Sequence, residues 1–253
     1  MELEKLDSKG RFSSRVDNYV KYRPSYPKEI IEFLQETIGF SKSSIIADVG
    51  SGTGISAKLF LDNGNTVYAV EPNADMRQAA EGVLHRYNNF YSIDGSSENT
   101  KLKEESIHMV VAAQAFHWFD PEPTKEEFLR ILKPEGHIVL LWNTRKRITT
   151  GFMGEYLNFI KKYGKIEIEK GNDYVVPKFF NGRTLNKKDF SNPQHYDFER
   201  LKGELASFSY MPNENHENFV PMIAELKNIF NRYNDNGKVV LEYETEVYYC
   251  KMK

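Results

Sequence analysis

The sequence predicts an α/β fold in which a doubly wound, mostly parallel sheet of seven strands carries an antiparallel last strand and a helical insertion. Three observations support this prediction. Short apolar segments alternate with amphipathic ones over the first 145 residues, a glycine-rich turn joins the first strand to the next helix, and the last segment alternates apolar and polar residues. Apolar strands that alternate with helices through short links form parallel sheets covered on both faces, here of the Rossmann-like type.

The first half of the chain gives the clearest pattern. Five short apolar segments are predicted to be buried strands, at residues 43–49, 65–72, 89–95, 106–115 and 137–143. Helical spacing of apolar residues predicts four helices, at residues 28–38, 54–64, 73–87 and 123–136. Gly39 should end the first of these helices, and Pro134 with Gly136 the fourth.

After residue 145 the pattern is looser. Helices are expected at 151–164 and 218–237, while 165–200 is polar and irregular with a possible strand at 195–199. Residues 238–252 alternate and predict one long final strand, with one side formed by Val239, Leu241, Tyr243, Thr245, Val247 and Tyr249. We therefore expect a single domain over 1–253, divided into an N-terminal lid segment (11–27), a cofactor-binding core (28–147), a helical insertion and substrate cap (148–237) and the last strand (238–253).

Composition restricts the function classes. Of the 253 residues 40% are hydrophobic and 28% charged, and the formal net charge is −2. Without a basic excess, no nucleic-acid partner is expected. Cys250 is the single cysteine, and the six histidines lack metal-binding spacing, so no metal site is expected. No long apolar run or leader-like segment occurs, which predicts a cytoplasmic protein with neither a membrane association nor an obligate protein partner.

The segment "IIADVGSGTGIS" (45–56) predicts a ligand site built from backbone. Glycines at 50, 52 and 54 follow the first strand, where they permit a sharp turn and close approach of a ligand to free helix N–H groups. The dinucleotide pattern G-x-G-x-x-G fails because Ile55 occupies its sixth position, and no P-loop lysine follows. Glu71 ends the second strand, where a carboxylate can accept both hydroxyls of a ribose.

Together with "VEPNADM" (70–76) and "LKPEGHIVLLWN" (132–143), the glycine turn resembles the class I S-adenosylmethionine-dependent methyltransferases. Two further segments, "FSSRVDNYVKYRPSYP" (12–27) and "AQAFHWFD" (113–120), are similar to the small-molecule branch that contains trans-aconitate-methyltransferase-like proteins. The resemblance covers 11–147, weakens through 148–205 and returns at 205–212 and 237–249. It implies S-adenosylmethionine (SAM) as cofactor and a small-molecule methyl acceptor, with a carboxylic acid as one candidate class.

The resemblance also implies roles for individual residues. Asp48 and the three glycines would surround the methionine part of the cofactor, Glu71 would hold the ribose, and the Ser96–Ser97 pair would meet the adenine edge. The whole implied cofactor set is Tyr19, Arg23, Asp48, Gly50, Ser51, Gly52, Gly54, Glu71, Pro72, Ser96, Ser97, Ala113 and Gln114. His108 and Glu135 depart from the family pattern, at positions away from the expected cofactor site.

Candidate acceptor residues follow from the chemistry of methyl transfer. Aromatic faces attract the sulfonium cation, which favours Tyr19, Tyr22, Phe116 and Trp118. Arg23, Arg145 and Arg147 can bind an acceptor carboxylate with forked hydrogen bonds. His117 is either a candidate general base or a structural histidine of the "FHWF" loop. Gln114 can orient either the acceptor or the cofactor amine.

Three alternatives stay open at this level. Residues 11–23 place Phe12, Val16, Tyr19 and Arg23 on one helical face, which fits a lid over the cofactor or a helix that only packs on the sheet. The chain can be a methyltransferase, or an NAD(P)-dependent oxidoreductase, which Ile55 disfavours. It can also be a non-catalytic protein that holds a nucleoside.

Overall fold

A computed structural model describes residues 22–164, 179–180, 182–208 and 210–253. Its strands are β1 (Ile45–Val49), β2 (Thr66–Val70), β3 (Phe90–Ile93), β4 (Ile107–Ala113), β5 (Leu132–Arg145), β6 (Asn186–Ser191), β7 (Gln194–Tyr196), β8 (Val239–Leu241) and β9 (Tyr243–Lys251). Its helices are α1 (Glu29–Ile38), α2 (Ile55–Asp62), α3 (Ala74–Leu84), α4 (Pro121–Ile131), α5 (Gly151–Gly164), α6 (Phe198–Ala206) and α7 (Phe219–Tyr233).

Seven of the strands form one sheet in the order β3-β2-β1-β4-β5-β9-β6. Strands β1 to β5 pair in parallel, and β9 pairs antiparallel with both β5 and β6. The order runs outward in both directions from β1 and β4, which is the doubly wound arrangement. The predicted fold class is confirmed: the sheet is seven-stranded and mostly parallel, and its last strand is antiparallel.

Apolar side chains on successive strand residues pack on opposite faces of this sheet. On one face Ile46 belongs to a cluster with Ile30 and Leu34 of α1. On the other face Ala47 belongs to a cluster with Phe128 of α4. Because both faces are covered by helices, the central strands are mostly apolar, and the polar ends of these strands are where a site can form.

Several predicted elements have different bounds in the structure. The helix predicted at 123–136 begins at Pro121, which suits the first helical position, and ends at Ile131. Residues 132–136 already belong to β5, because Pro134 disfavours helical conformation in the residue before it. The possible strand at 195–199 was wrong beyond Tyr196, since Asp197 accepts the backbone N–H of Arg200 and caps α6.

The predicted final strand is divided at Glu242 into β8, which pairs with β7, and β9 of the main sheet. Its predicted side is buried from Val239 through Val247, as the alternation indicated. Strand β6 was not predicted, because "NKKDFS" lacks apolar alternation. It forms the edge of the sheet, where exposed lysines are compatible with strand structure.

The segment between β5 and β9 has its own apolar cluster, which joins α5, α6 and α7 through residues such as Tyr156, Leu201 and Leu226. Tyr243, the first residue of β9, belongs to the same cluster and so connects it to the sheet. Within the described part of the chain, no helix has the length and apolar composition needed to cross a bilayer.

Candidate cofactor and acceptor site

A cavity of about 350 Å³ lies at the carboxyl ends of the parallel strands. Its volume is at the lower end of the usual range for small-molecule sites, and its location is where open α/β sheets bind ligands. Twelve predicted site residues line it: Arg23, Gly50, Ser51, Gly52, Glu71, Pro72, Ser96, Ser97, Ala113, Gln114, Trp118 and Arg145. The topology therefore brings together residues that are separated by more than 120 positions in the chain.

The glycine turn is held against the end of β2. The N–H groups of Gly50 and Ser51 donate to the carbonyl oxygen of Val70, at 2.8 and 3.2 Å. Gly50, Gly52 and Gly54 have φ of 68°, 55° and 83°, a left-handed conformation that favours glycine. A Cβ atom on Gly50 would lie 2.6 Å from the Cβ of Ala115, whereas a Cβ on Gly52 would have no neighbour within 4 Å.

Glu71 follows β2 and is almost completely buried. Its Oε2 accepts the N–H of Gly52 at 3.0 Å, and its Oε1 accepts the N–H of Asn73 at 2.9 Å. Burial raises the pKa of this carboxyl, while the two backbone N–H groups and Arg77 oppose the rise. An ionised carboxylate can accept about four hydrogen bonds, so each oxygen keeps capacity for another donor.

Asp48 and Gly54 support the turn from beneath and do not line the cavity. Asp48 is 0% exposed, its Oδ2 accepts the hydroxyl of Ser56 at 2.6 Å, and its Oδ1 has no partner among the described residues. Burial raises the pKa of Asp48 to about 7. Gly54 is the N-cap of α2, and a Cβ there would lie 2.6 Å from Cδ1 of Leu84.

Gln114, directly after β4, has a φ of 54°. This conformation is uncommon for a residue with a side chain and is often kept at functional sites. Its N–H donates to the carbonyl of Leu141, and its Nε2 donates to the carbonyl of Asn143, both at 2.9 Å. The strained backbone and the tethered amide fix Gln114 between the ends of β4 and β5.

Two guanidinium groups flank one aromatic ring on the side of β5 and β9. The Cζ atoms of Arg23 and Arg145 lie 4.7 and 4.5 Å from the ring centroid of Phe208, which follows α6. Arg145 pairs with Tyr243 in the β5–β9 register, and its Cζ lies 5.5 Å from the tyrosine ring. Both arginines, Phe208 and Tyr243 line the cavity, so this end combines positive charge with aromatic surface.

The opposite end is formed by the loop after β3. The hydroxyl of Ser97 donates to Oε1 of Glu98 at 2.7 Å, and Glu98 lines the cavity beside Ser96 and Ser97. The apolar side chain of Met76 lies in the same lining. This end therefore offers apolar surface together with a carboxylate acceptor, groups that suit a flat ring carrying an amine.

Besides Asp48 and Gly54, four predicted residues that the structure describes do not line the cavity: Tyr22, Phe116, His117 and Arg147. Tyr22 packs its ring against Gly203 of α6, and its carbonyl accepts the hydroxyl of Tyr196 at 3.4 Å. His117 lies in the short 3-10 turn at Phe116–Trp118, is exposed, and has its ring 4.9 Å from that of Trp118. Tyr19 and most of the lid predicted at 11–27 lie outside the described residues.

Sequence reasoning missed several lining residues, among them Tyr26, Thr53, Asn73, Met76, Glu98, Phe119, Asn143 and Tyr243. Only position relative to a strand end could have indicated them: Asn73 lies two residues after Glu71, and Asn143 lies near the end of β5. Phe208 and Tyr210, which lie in the segment 205–212 where the resemblance returns, both line the cavity. No group of three or more potential metal ligands occurs in the described parts of the chain.

Comparison with known proteins agrees with this architecture. Residues 47–140, which include the glycine turn and Glu71, match the family model described as a methyltransferase domain. An uncharacterized methyltransferase-like protein of Schizosaccharomyces pombe is 26% identical over 249 residues, covering 96% of this chain and 95% of that protein. An uncharacterized methyltransferase of Mycobacterium bovis is 31% identical over 166 residues, which cover 66% of this chain and 62% of that protein.

A solved structure described as a type II methyltransferase from Anaeromyxobacter dehalogenans has the same fold, with a TM-score of 0.68 at 17% identity, covering 90% of this chain and 97% of that one. The fold, the strand-end cavity and the domain match define a class I methyltransferase. The protein is a SAM-dependent methyltransferase rather than an oxidoreductase.

Proposed function

We propose that this enzyme binds SAM across the glycine turn and transfers its methyl group to a small carboxylic acid held near Arg145. The observation that carries the proposal is the division of one cavity into two chemically different ends. The end over β1, β2 and β3 carries Glu71 and Glu98, and the end over β4, β5 and β9 carries Arg145 and aromatic rings.

The cofactor end fits an adenosine. Glu71 keeps acceptor capacity on both oxygens for the ribose hydroxyls, and its two backbone hydrogen bonds fix its orientation beforehand. Pro72 and Met76 offer apolar contact to the adenine ring, and Glu98 can accept its amino group. The open space above Gly52 admits a ligand directly against the backbone.

The methionine part of SAM would lie between these ends. Its carboxylate suits Arg23, and its ammonium group suits acceptors at the end of β4, where Ala113 and Gln114 line the cavity. SAM supplies an electrophilic methyl group, which a nucleophile takes in a direct in-line displacement. The chain contributes position and exclusion of water, effects that together supply several kcal/mol of barrier lowering.

The acceptor end favours an anion. Strand neighbours are about 4.8 Å apart, so Glu71 after β2 and Arg145 at the end of β5 are separated by three spacings, roughly 14 Å. An acceptor bound by Arg145 would therefore lie beyond the ribose. A carboxylate oxygen is already anionic and needs no general base, which agrees with the position of His117 outside the cavity lining.

An acceptor screen tests this proposal. The enzyme is incubated with SAM and a panel of small carboxylic acids, with the amide of each acid as the matched control, and S-adenosylhomocysteine (SAH) release is measured. We expect turnover with one or more acids and none with their amides. Equal turnover with acids and amides, or turnover confined to uncharged amines or phenols, would overturn the carboxylate assignment while leaving SAM binding intact.

A further inference from the structure

A buried acid lies behind Arg145. Glu204, on α6, is 0% exposed, and its Oε1 accepts the phenol hydroxyl of Tyr243 and lies 3.6 Å from Nη2 of Arg145. Its Oε2 has no hydrogen-bond partner among the described residues. The carboxylate thus contacts Arg145 and Tyr243, which both line the cavity, and it also interacts with the phenol of Tyr196, which does not.

This arrangement is a poor stabiliser of the fold. A buried carboxylate is costly even when it is paired, and here one oxygen lacks a partner among the described residues. The buried hydroxyl of Tyr156, on α5, also has no hydrogen-bond partner among the described residues. Burial raises the pKa of Tyr156 and of Tyr243 well above the ordinary value, so both phenols are protonated at neutral pH. Buried polar groups without hydrogen-bond partners call for an explanation, and a role at the adjacent cavity is one.

Glu204 and two aromatic rings surround the guanidinium of Arg145. Glu204 approaches Nη2 from one side, while the rings of Phe208 and Tyr243 lie 4.5 and 5.5 Å from Cζ. Nε is buried and has no hydrogen-bond partner among the described residues. A guanidinium carries five N–H donors in a planar fork, so donors remain for a ligand in the cavity that Arg145 lines.

We infer that Glu204 is a positioning residue: it holds the guanidinium of Arg145 so that the fork binds one carboxylate group of the methyl acceptor. The inference rests on the proposed function for the identity of the bound molecule, and it adds a residue that does not line the cavity. Without the Glu204 charge, the side chain of Arg145 would have more than one orientation, and the fork would no longer match a carboxylate.

The test uses the full-length protein labelled with ¹⁵N-arginine, in which the Nε–H resonance of Arg145 is assigned by its loss in Arg145→Lys. Succinate is the probe and is titrated into the wild-type protein and into Glu204→Gln, with and without saturating SAH. Glutamine keeps the size and an acceptor for Tyr243 while removing the charge. Glu225→Gln is the matched control, because Glu225 also contacts one cation and one tyrosine, Lys162 and Tyr163 at 2.6 and 2.8 Å, but neither of these residues lines the cavity.

We expect succinate to shift the Arg145 resonance in the wild-type protein and in Glu225→Gln. In Glu204→Gln we expect the resonance to broaden and succinate binding to weaken about tenfold, with SAH affinity unchanged within about twofold. The inference is overturned if Glu204→Gln leaves the resonance and succinate binding as in the wild type, or if succinate never moves the resonance. Because the resonance is also observed without cofactor, failure of SAH binding would count against the proposed function alone.

Discussion

The most informative single substitution is Gly52→Ala, because it separates backbone strain from loss of ligand space. Gly52 has a φ of 55°, and a Cβ there would have no neighbour within 4 Å. The folded protein therefore meets no steric clash, and the expected loss is the left-handed penalty of about 1–2 kcal/mol. For a chain of this size that corresponds to a decrease in Tm of roughly 2–8 °C.

Cofactor affinity should decrease as well, although the protein stays folded. The new methyl group would stand in the cavity at the point where we place the ligand against the backbone. Displacing the ligand there should weaken SAH binding at least about tenfold, or roughly 1.4 kcal/mol. Gly39→Ala is the matched control, since Gly39 has a φ of 69° and equally open space, but ends α1 away from the cavity.

Tryptophan fluorescence gives the assay. The chain has two tryptophans; Trp118 lines the cavity and Trp142 is buried among core aromatics. SAH should change the emission of Trp118 in the wild type and in Gly39→Ala at similar concentrations, and in Gly52→Ala only at concentrations about tenfold higher or more. If both alanine variants lose stability alike and Gly52→Ala still binds SAH with wild-type affinity, the placement of the ligand over this turn is wrong.

Two further predictions concern stability. Gly50→Ala should lose roughly 2–4 kcal/mol, more than Gly52→Ala, because its Cβ would lie 2.6 Å from that of Ala115; urea unfolding that ranks the two variants equally would contradict this. Asp48 has its pKa raised to about 7 by burial, so between about pH 4 and 7 the folded protein holds a proton that the unfolded chain has released. Stability from this group is therefore highest below pH 4 and decreases as pH rises to 7, by up to roughly 4 kcal/mol relative to Asp48→Asn. A wild-type-minus-variant difference that stays constant over this range would refute the assignment.

The sequence predicted those helices and strands whose structure depends mainly on residues close together in the chain. The five parallel strands and the helices between them follow from apolar spacing and glycine or proline ends, and each appears in the structure. Strand β6 could not be predicted in this way. Its sequence is polar, and only pairing with β9 makes it a strand.

The same distinction applies to the residues of the site. Glu71 and the glycine turn lie close together in the sequence and were found from it. Tyr243 and Glu204 could not be assigned to the site, because the sheet order and the position of α6 bring them beside Arg145. Tyr243 carried only the alternation typical of a strand, and no element was predicted around Glu204.

The central claim is that Glu71 holds the ribose of the cofactor over the glycine turn. Calorimetric titration of SAH into the wild-type protein and into Glu71→Ala tests it most directly, with Glu32→Ala, an exposed acid on α1, as control and circular dichroism to verify folding. We predict saturable heat for the wild type and for Glu32→Ala, and an affinity reduced at least about tenfold in a folded Glu71→Ala protein. Absence of binding to the wild type, or equal binding to all three proteins, would contradict the account.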